Sequence, residues 1–235
     1  MSDIKVIFQD DDLIVVDKPV DLPIHKNDFM PADAPYLTKE IGVLTGKSVF
    51  PVHRLDSKTS GVIVLAFSRE IASELAQQFE QRKVEKTYAV VCKGIPGEGT
   101  FNKPVVIKKK KKRVNAYTAY KTIKSISTKI SYKDITDVAL SLVIAKPETG
   151  RWHQIRQHFA FERLDILGDT QHGDWTLNKI MTAQTDIKRL LLHAYTLTFT
   201  HPVTTEKMKV TAPIPEEFEQ VLEQLNGYEV CLTDD

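Results

Sequence analysis

The sequence predicts an α+β fold, a single domain over residues 1–235 that is rich in β-strands. Short runs of β-branched and aromatic residues recur along the chain, whereas few segments carry the apolar spacing of an amphipathic helix. No repeat of fixed period and no Gly/Ser-rich linker divides the sequence. A hydrophobic content of 42% with 27% charged residues is ordinary for a globular protein.

The predicted elements follow from local patterns, taken in chain order. Strands are predicted at 4–8, 13–16, 62–67, 86–92, 114–126, 137–145 and 190–199. Helices are predicted at 36–44, at 69–81, from about Arg151 onward, and from Pro215 to about Leu225. Ser68 is the expected N-cap of the second helix, whose apolar residues repeat at the spacing of one helix face. Two prolines exclude a helix in 17–25, and residues 164–174 are expected to form a polar loop.

Composition excludes several classes of protein. No apolar run approaches the roughly 18 residues of a membrane span, and no secretory signal is visible. Cys92 and Cys231 are the two cysteines, far apart in sequence. They give neither a zinc cluster nor a disulfide framework, so a reducing, cytoplasmic location is expected.

Charge is distributed unevenly, although the formal net charge is only +1. Residues 81–130 contain fourteen Lys or Arg and two Glu, including an unbroken cationic run from Lys108 to Arg113. Residues 211–235 contain seven acidic residues and no Lys or Arg. The basic segment is typical of a surface that binds a polyanion, or of a merely solvated face.

The stretch from Pro51 to Ala66 places Asp56 on a polar loop directly before an apolar strand. A rigid strand would hold this carboxylate for chemistry, although an aspartate there can also serve only as a turn residue. The sequence lacks a phosphate-binding loop, a GxGxxG motif and a GxSxG elbow. A carboxylate kept ionised by a neighbouring arginine, beside a basic surface, suits a nucleic-acid substrate.

A catalytic metal is the weaker alternative. His153, His158 and His172, together with Asp169 and Asp174, form a set of potential ligands. On a regular helix, however, His153 and His158 would point about 140° apart, unlike the i, i+4 pair of a zincin.

Several motifs together resemble those of RluA-type pseudouridine synthases. His53 to Gly61 resembles the HRLDxxTSG signature, and residues 17–25 resemble the first KPxGxxxH motif, with Asp21 where the family has Gly. The later segments that resemble family motifs, in the family's order, are Lys86 to Val91, Thr149 to Arg156, Leu167 to Asp169, Leu192 to Tyr195, and His201 with Pro202.

The resemblance implies a catalytic domain with a mixed, mainly antiparallel sheet, flanked by helices and loops around an RNA-binding cleft. It implies no metal and no organic cofactor. Because the chain starts directly at the catalytic domain, no N-terminal S4 domain is expected. By the same resemblance Asp56 is the nucleophile, Tyr88 packs against the flipped uracil, and Arg156 pairs with Asp56.

The predicted partner is RNA. Arg54 would fill the gap that the flipped base leaves in the stack. The other expected RNA-binding residues are His53, Lys108, Lys109, Lys110, Lys111, Lys112, Arg113, Arg151, His153 and His172. Residues 168–174 resemble the GDxxHGD segment of the TruC branch, which acts on uridine 65 of tRNA, so tRNA is the expected substrate. The expected oligomeric state is a monomer.

Three alternatives stay open at this point. The substrate could be 23S rRNA, alone or together with tRNA. The chain could bind RNA without catalysis, although the presence of Asp56, Tyr88 and Arg156 argues against this. A metal-dependent nuclease would use Asp169, His172 and Asp174.

Overall fold

A computed structural model describes residues 4–26, 30–107, 112–132 and 134–232 of the chain. The helices are α1 (Leu37–Thr45), α2 (Arg69–Glu80), α3 (Gln154–Phe161), α4 (Trp175–Thr185) and α5 (Glu217–Leu225). The strands are β1 (Lys5–Gln9), β2 (Leu13–Lys18), β3 (Phe50–Pro51), β4 (Ser60–Ala66), β5 (Glu85–Lys93), β6 (Glu98–Phe101), β7 (Val105–Ile107), β8 (Lys112–Val114), β9 (Thr118–Ser127), β10 (Lys129–Tyr132), β11 (Ala139–Pro147), β12 (Leu192–Thr200), β13 (Lys207–Thr211) and β14 (Glu229–Leu232). None of the helices in these ranges is long and apolar enough to cross a membrane.

The chain divides into two compact units, and the division falls inside strands β5 and β12. The first unit contains Met1–Thr87 and Ala194–Pro213, and the second contains Tyr88–His193 and Ile214–Asp235. The extension of one domain over residues 1–235 stays a prediction.

The first unit is built on the hairpin of β1 and β2, which the sequence predicted. β2 pairs antiparallel with β4, and β13 pairs antiparallel with β12. Strand β4 is buried along its whole length, and α2 packs its apolar face on this sheet through Ile71 and Leu75. As predicted, Ser68 caps α2, since its hydroxyl accepts a hydrogen bond from the Ile71 N–H at 3.2 Å.

In the second unit, helices cover both faces of a β-sheet. Strands β5, β11, β9 and β6 are neighbours in that order, and their pairings are antiparallel. Ala89 and Val91 face a cluster formed with α4 and α5, whereas Val90 and Cys92 face a cluster formed with α3. Both faces of β5 are therefore apolar, which is why its sequence is a continuous hydrophobic run rather than an alternating one.

The predicted α+β class is confirmed. Antiparallel pairings dominate the described strands, and the parallel pair of β10 with β14 makes the arrangement mixed. Two expectations were wrong. α3 begins at Gln154 rather than near Arg151, because Arg151 to His153 form a turn that ends in a left-handed residue. Helix α4 was missed, although Asp174 caps it and Leu177, Ile180 and Met181 carry its buried face.

Candidate active site

Asp56 lies in the first unit, on the loop that joins β3 to β4. The residue is half-buried, and its backbone carbonyl accepts a hydrogen bond from the Thr59 N–H at 3.0 Å. Thr59 and Ser60 are buried and lead directly into β4. The loop is thus a closed turn anchored on a core strand, which restricts where the carboxylate of Asp56 can point.

Lys18 fastens this loop to the preceding one. Its side chain has no exposed surface, and its ammonium donates to the carbonyls of Pro19 at 2.8 Å, Leu22 at 3.0 Å and Ser57 at 3.1 Å. A buried ammonium needs such acceptors, because an unsatisfied one would be strongly destabilising. Residues 19–22 are therefore tied to the residue that follows Asp56. Sequence reasoning placed Lys18 in a loop motif but gave it no role.

Asp21 occupies a position that favours glycine. Its φ of 64° is left-handed, which explains why the resembling motif has glycine there. Aspartate tolerates this conformation better than most residues, and its carboxylate pairs with Lys58 at 2.6 Å. The loop is consequently retained despite the departure from the motif.

His53 has a structural position. Its Nε2 accepts a hydrogen bond from the Val64 N–H at 3.1 Å, and its ring stacks on Phe79 with centroids 4.5 Å apart. Burial of the ring, and secondly the charge of Lys86, lowers the pKa of His53 to about 3. His53 is therefore neutral at physiological pH and braces β3 and β4 against α2. Its predicted contact with RNA stays a prediction, as does that of the neighbouring Arg54, which is exposed.

Arg156 lies on α3 in the second unit and is only 5% exposed. Its Nε and Nη2 each donate to one carboxylate oxygen of Asp169, both at 2.7 Å. The same carboxylate accepts the N–H groups of Gln171 and His172 at 2.9 and 3.0 Å. Burial would raise the pKa of Asp169, but the bonds and charge of Arg156, with these two N–H groups, lower it below its ordinary value. Sequence reasoning placed Asp169 in a motif without identifying this pairing.

Two histidines that were predicted to bind RNA are linked to Arg156 by close contacts. Nη1 of Arg156 lies 3.0 Å from Nε2 of His153, and Nδ1 of His153 lies 3.0 Å from Nε2 of His172. The ring of Trp152 stacks on His153 with centroids 3.7 Å apart. The structure thus brings Arg156, which was expected to be catalytic, together with His153 and His172, which were both expected to bind RNA.

Two amide side chains of the segment 149–158 hold the start of α3 in place. Gln154 accepts from the Thr149 hydroxyl at 2.7 Å and from the Arg151 N–H at 3.0 Å, and it donates to the Tyr117 carbonyl at 2.9 Å. Gln157 bonds both backbone groups of Val106 on β7, at 2.9 and 3.2 Å. These amides tie α3 to the base of the β7–β8 hairpin, a role that sequence reasoning missed.

The cationic run falls partly outside the described residues, which exclude Lys108, Lys109, Lys110 and Lys111. Lys112 and Arg113 are exposed on β8, and Arg151 is exposed before α3. Tyr88 is half-buried on β5, opposite Ala145 of β11. The contact of Asp56 with Tyr88 and Arg156, which the resemblance implies, stays a prediction.

The proposed metal ligands serve other purposes. His158 is buried, with Nδ1 2.9 Å from the Thr118 hydroxyl and Nε2 2.9 Å from the Lys103 carbonyl, and burial lowers its pKa. Asp174 caps α4 and accepts from Tyr132 at 2.8 Å and Lys93 at 3.1 Å. These contacts use the ligand atoms that a metal would need.

A different group, Asp10, Asp12 and His201, has donor atoms close enough for a cation among the described residues. His201 accepts the N–H groups of Val203 and Thr204 at Nδ1, so its Nε2 carries the proton and donates to Asp10 at 2.8 Å. This orientation makes the group an internal brace of the first unit rather than a metal site.

Removing the carboxylate of Asp169 is expected to destabilise the fold strongly. Asp169→Ala would remove the two carboxylate bonds to the buried cation of Arg156, and breaking a buried pair in this way costs about 3–5 kcal/mol. Glu98→Ala is the matched control, because it removes an exposed pair with Lys121 and should change stability by less than about 1 kcal/mol. Urea unfolding of the two variants measures the difference.

The loss of stability in Asp169→Ala should depend on pH. The pKa of Asp169 is depressed in the folded state, so its stabilisation is present above the ordinary value of 3.8 and is lost as the pH falls through the lower folded pKa. The stability difference between the wild type and Asp169→Ala should therefore narrow in acid below about pH 4. A difference that stays constant down to the acid transition would contradict the ion-pair assignment.

Comparison with known proteins identifies the class. A family described as RNA pseudouridylate synthase matches residues 12–161. The chain is 34% identical over 230 residues to tRNA pseudouridine synthase C of Vibrio parahaemolyticus, which covers 93% of this chain and 94% of that protein. It is 32% identical to the protein of the same name from Haemophilus influenzae, with 96% and 99% coverage.

Solved structures agree with this result. Human RNA Pseudouridylate Synthase Domain Containing 4 matches with a TM-score of 0.70 and 27% identity, covering 94% of this chain and 92% of that chain. The chain therefore belongs to the RNA pseudouridylate synthase family. The predictions of an RluA-type fold and of an RNA-modifying isomerase are confirmed.

Proposed function

We propose that this enzyme converts one uridine of tRNA, uridine 65, to pseudouridine, with Asp56 as the nucleophile. The observation that carries the tRNA assignment is the similarity over nearly the whole chain to proteins named tRNA pseudouridine synthase C. The GDxxHGD segment, here residues 168–174, supports position 65. A 23S rRNA substrate is the alternative within the same chemistry.

The reaction is an isomerisation that needs no added atoms. The carboxylate of Asp56 attacks the target nucleotide, either at the uracil ring or at the anomeric carbon of the ribose. The bond between N1 and the ribose breaks, the uracil turns, and a bond forms from C5 to the ribose. The proton on C5 is released, N1 gains a proton, and Asp56 is regenerated.

Three side chains would support the step. Arg156 would pair with Asp56 and keep it ionised, and Tyr88 would pack against the flipped uracil and assist proton removal at C5. Arg54 would fill the place that the uracil leaves in the stack. The near-complete burial of Arg156 and the exposure of Arg54 are consistent with these different tasks.

The basic surface would supply affinity for the RNA backbone. Lys112, Arg113 and Arg151 are exposed in the second unit, and phosphate contacts by such residues give binding that weakens as salt rises. We place the activity in the cytoplasm and expect a monomer to be sufficient.

The decisive experiment measures tritium release from tRNA transcribed with [5-³H]uridine. About one equivalent of tritium per tRNA is expected, and a transcript with cytidine at position 65 should release none. EDTA should not change the yield, and the RNA should stay full length. Equal tritium release from the cytidine-65 transcript would contradict the assignment of uridine 65 as the target. Release from 23S rRNA fragments alone would assign the alternative, and binding without any release would favour an RNA-binding protein that lacks catalysis.

A further inference from the structure

Arg156 is held by a closed ring of hydrogen bonds. Asp169 accepts Nε and Nη2 of Arg156, and Nη1 lies 3.0 Å from Nε2 of His153. Nδ1 of His153 lies 3.0 Å from Nε2 of His172, whose backbone N–H returns to Asp169 at 3.0 Å. Each member therefore fixes the next, and the guanidinium is restrained from both sides.

The direction of every bond in this ring follows from its chemistry. A guanidinium can only donate, so Nε2 of His153 must be the acceptor and its proton must lie on Nδ1. Nδ1–H then donates to His172, whose Nε2 must also be an acceptor. One pattern of tautomers satisfies these two contacts, and it requires an acceptor atom at the position of His172 Nε2.

The backbone around the two histidines is correspondingly constrained. His153 has a left-handed φ of 49°, which a non-glycine residue adopts only when its surroundings hold it there. The Asp169 carbonyl accepts both the Gly173 N–H at 3.1 Å and the Asn178 amide at 3.0 Å. The loop that presents His172 is thus pinned to α4, and the ring stacking of Trp152 fixes the plane of His153.

We infer that His153 and His172 are positioning residues for Arg156, in addition to any contact with RNA. His172 orients His153, and His153 orients the guanidinium that the proposed function places beside Asp56. The inference rests on that proposed role of Arg156. His172 acts through two intervening side chains, so its loss should impair the chemical step rather than RNA binding.

The test compares three variants of one loop. His172→Ala removes the acceptor, whereas His172→Gln restores one, because the glutamine Oε1 can replace Nε2. Gln171→Ala is the matched control, since this neighbouring side chain is exposed. Single-turnover rates on tRNA should fall about tenfold or more in His172→Ala, with KM within about twofold. His172→Gln and Gln171→Ala should stay within about threefold of the wild type.

A second readout does not depend on activity. The side-chain ¹⁵N–¹H resonances of Arg156 in the free protein report whether rotation of the guanidinium is restricted. Separate Nη signals are expected in the wild type and in His172→Gln, and averaged signals in His172→Ala. An Arg156→Lys spectrum assigns the signals.

The outcomes separate the inference from the proposed function. Unchanged Arg156 signals in His172→Ala, or rates that are equally reduced in the alanine and glutamine variants, would overturn the positioning role. Averaged Arg156 signals together with an unchanged rate in His172→Ala would support the positioning role. They would instead contradict the proposed role of Arg156 in the reaction. A melting temperature of His172→Ala close to that of Gln171→Ala excludes general unfolding as the cause.

Discussion

Replacing Asp56 with asparagine is expected to abolish pseudouridine formation while leaving the protein folded and able to bind RNA. The amide has the size of the carboxylate but lacks the anionic oxygen that attacks the nucleotide. The turn at this position uses the backbone carbonyl of Asp56, which the substitution retains. Tritium release should fall by at least about 10³-fold.

Asp21→Asn is the matched control for this experiment. It also removes a carboxylate, and it lies in the loop that Lys18 ties to the Asp56 loop. The side chain of Asp21 is exposed, and asparagine tolerates the left-handed backbone, so activity should stay within about twofold. Full activity in Asp56→Asn would contradict the assignment of Asp56 as the nucleophile. A large loss in Asp21→Asn would show that charge in these loops, rather than one carboxylate, sets the rate.

Replacing Gly61 with alanine is expected to destabilise the first unit by more than about 3 kcal/mol, or to prevent folding. Gly61 has a φ of 110°, where side chains are strained, and a Cβ would lie 2.2 Å from the Ala194 carbonyl oxygen and 2.6 Å from its nitrogen. Both obstacles are backbone atoms of the neighbouring strand β12, so no rotamer change can relieve the clash. Urea unfolding, or the yield of folded protein, measures the loss.

Gly46→Ala separates steric overlap from backbone strain. Gly46 also has a left-handed φ, 67°, at the end of α1, but a Cβ there meets nothing within 4 Å. Only the conformational strain remains, about 1–2 kcal/mol. If Gly61→Ala and Gly46→Ala lost the same amount of stability, the close approach of β4 to β12 would not be the reason that position 61 requires glycine.

Local patterns predicted the parts of the fold that depend on local physics. Ser68 was identified as a helix start because N-capping has residue preferences of its own. Val143, in the strand predicted at 137–145, is fully buried in the cluster with α3, since both faces of β11 are covered.

Contacts between distant residues were harder to predict. The resemblance implied that Arg156 pairs with Asp56, and nothing local in the sequence selects Asp169 as a partner. His53 and Arg54 are adjacent and both were expected to contact RNA, yet the ring of His53 stacks on Phe79 while Arg54 is exposed. Whether the imidazole of His53 becomes an internal brace depends on how α2 packs against it. The spacing of residues in the sequence does not predict that packing.

The left-handed backbone of His153 sets backbone preference against side-chain chemistry. Glycine would adopt a φ of 49° without strain, but it would lose the contact with Arg156 and the stacking with Trp152. An imidazole at this position therefore carries backbone strain while it holds a guanidinium in one orientation, a conflict common at sites of chemistry.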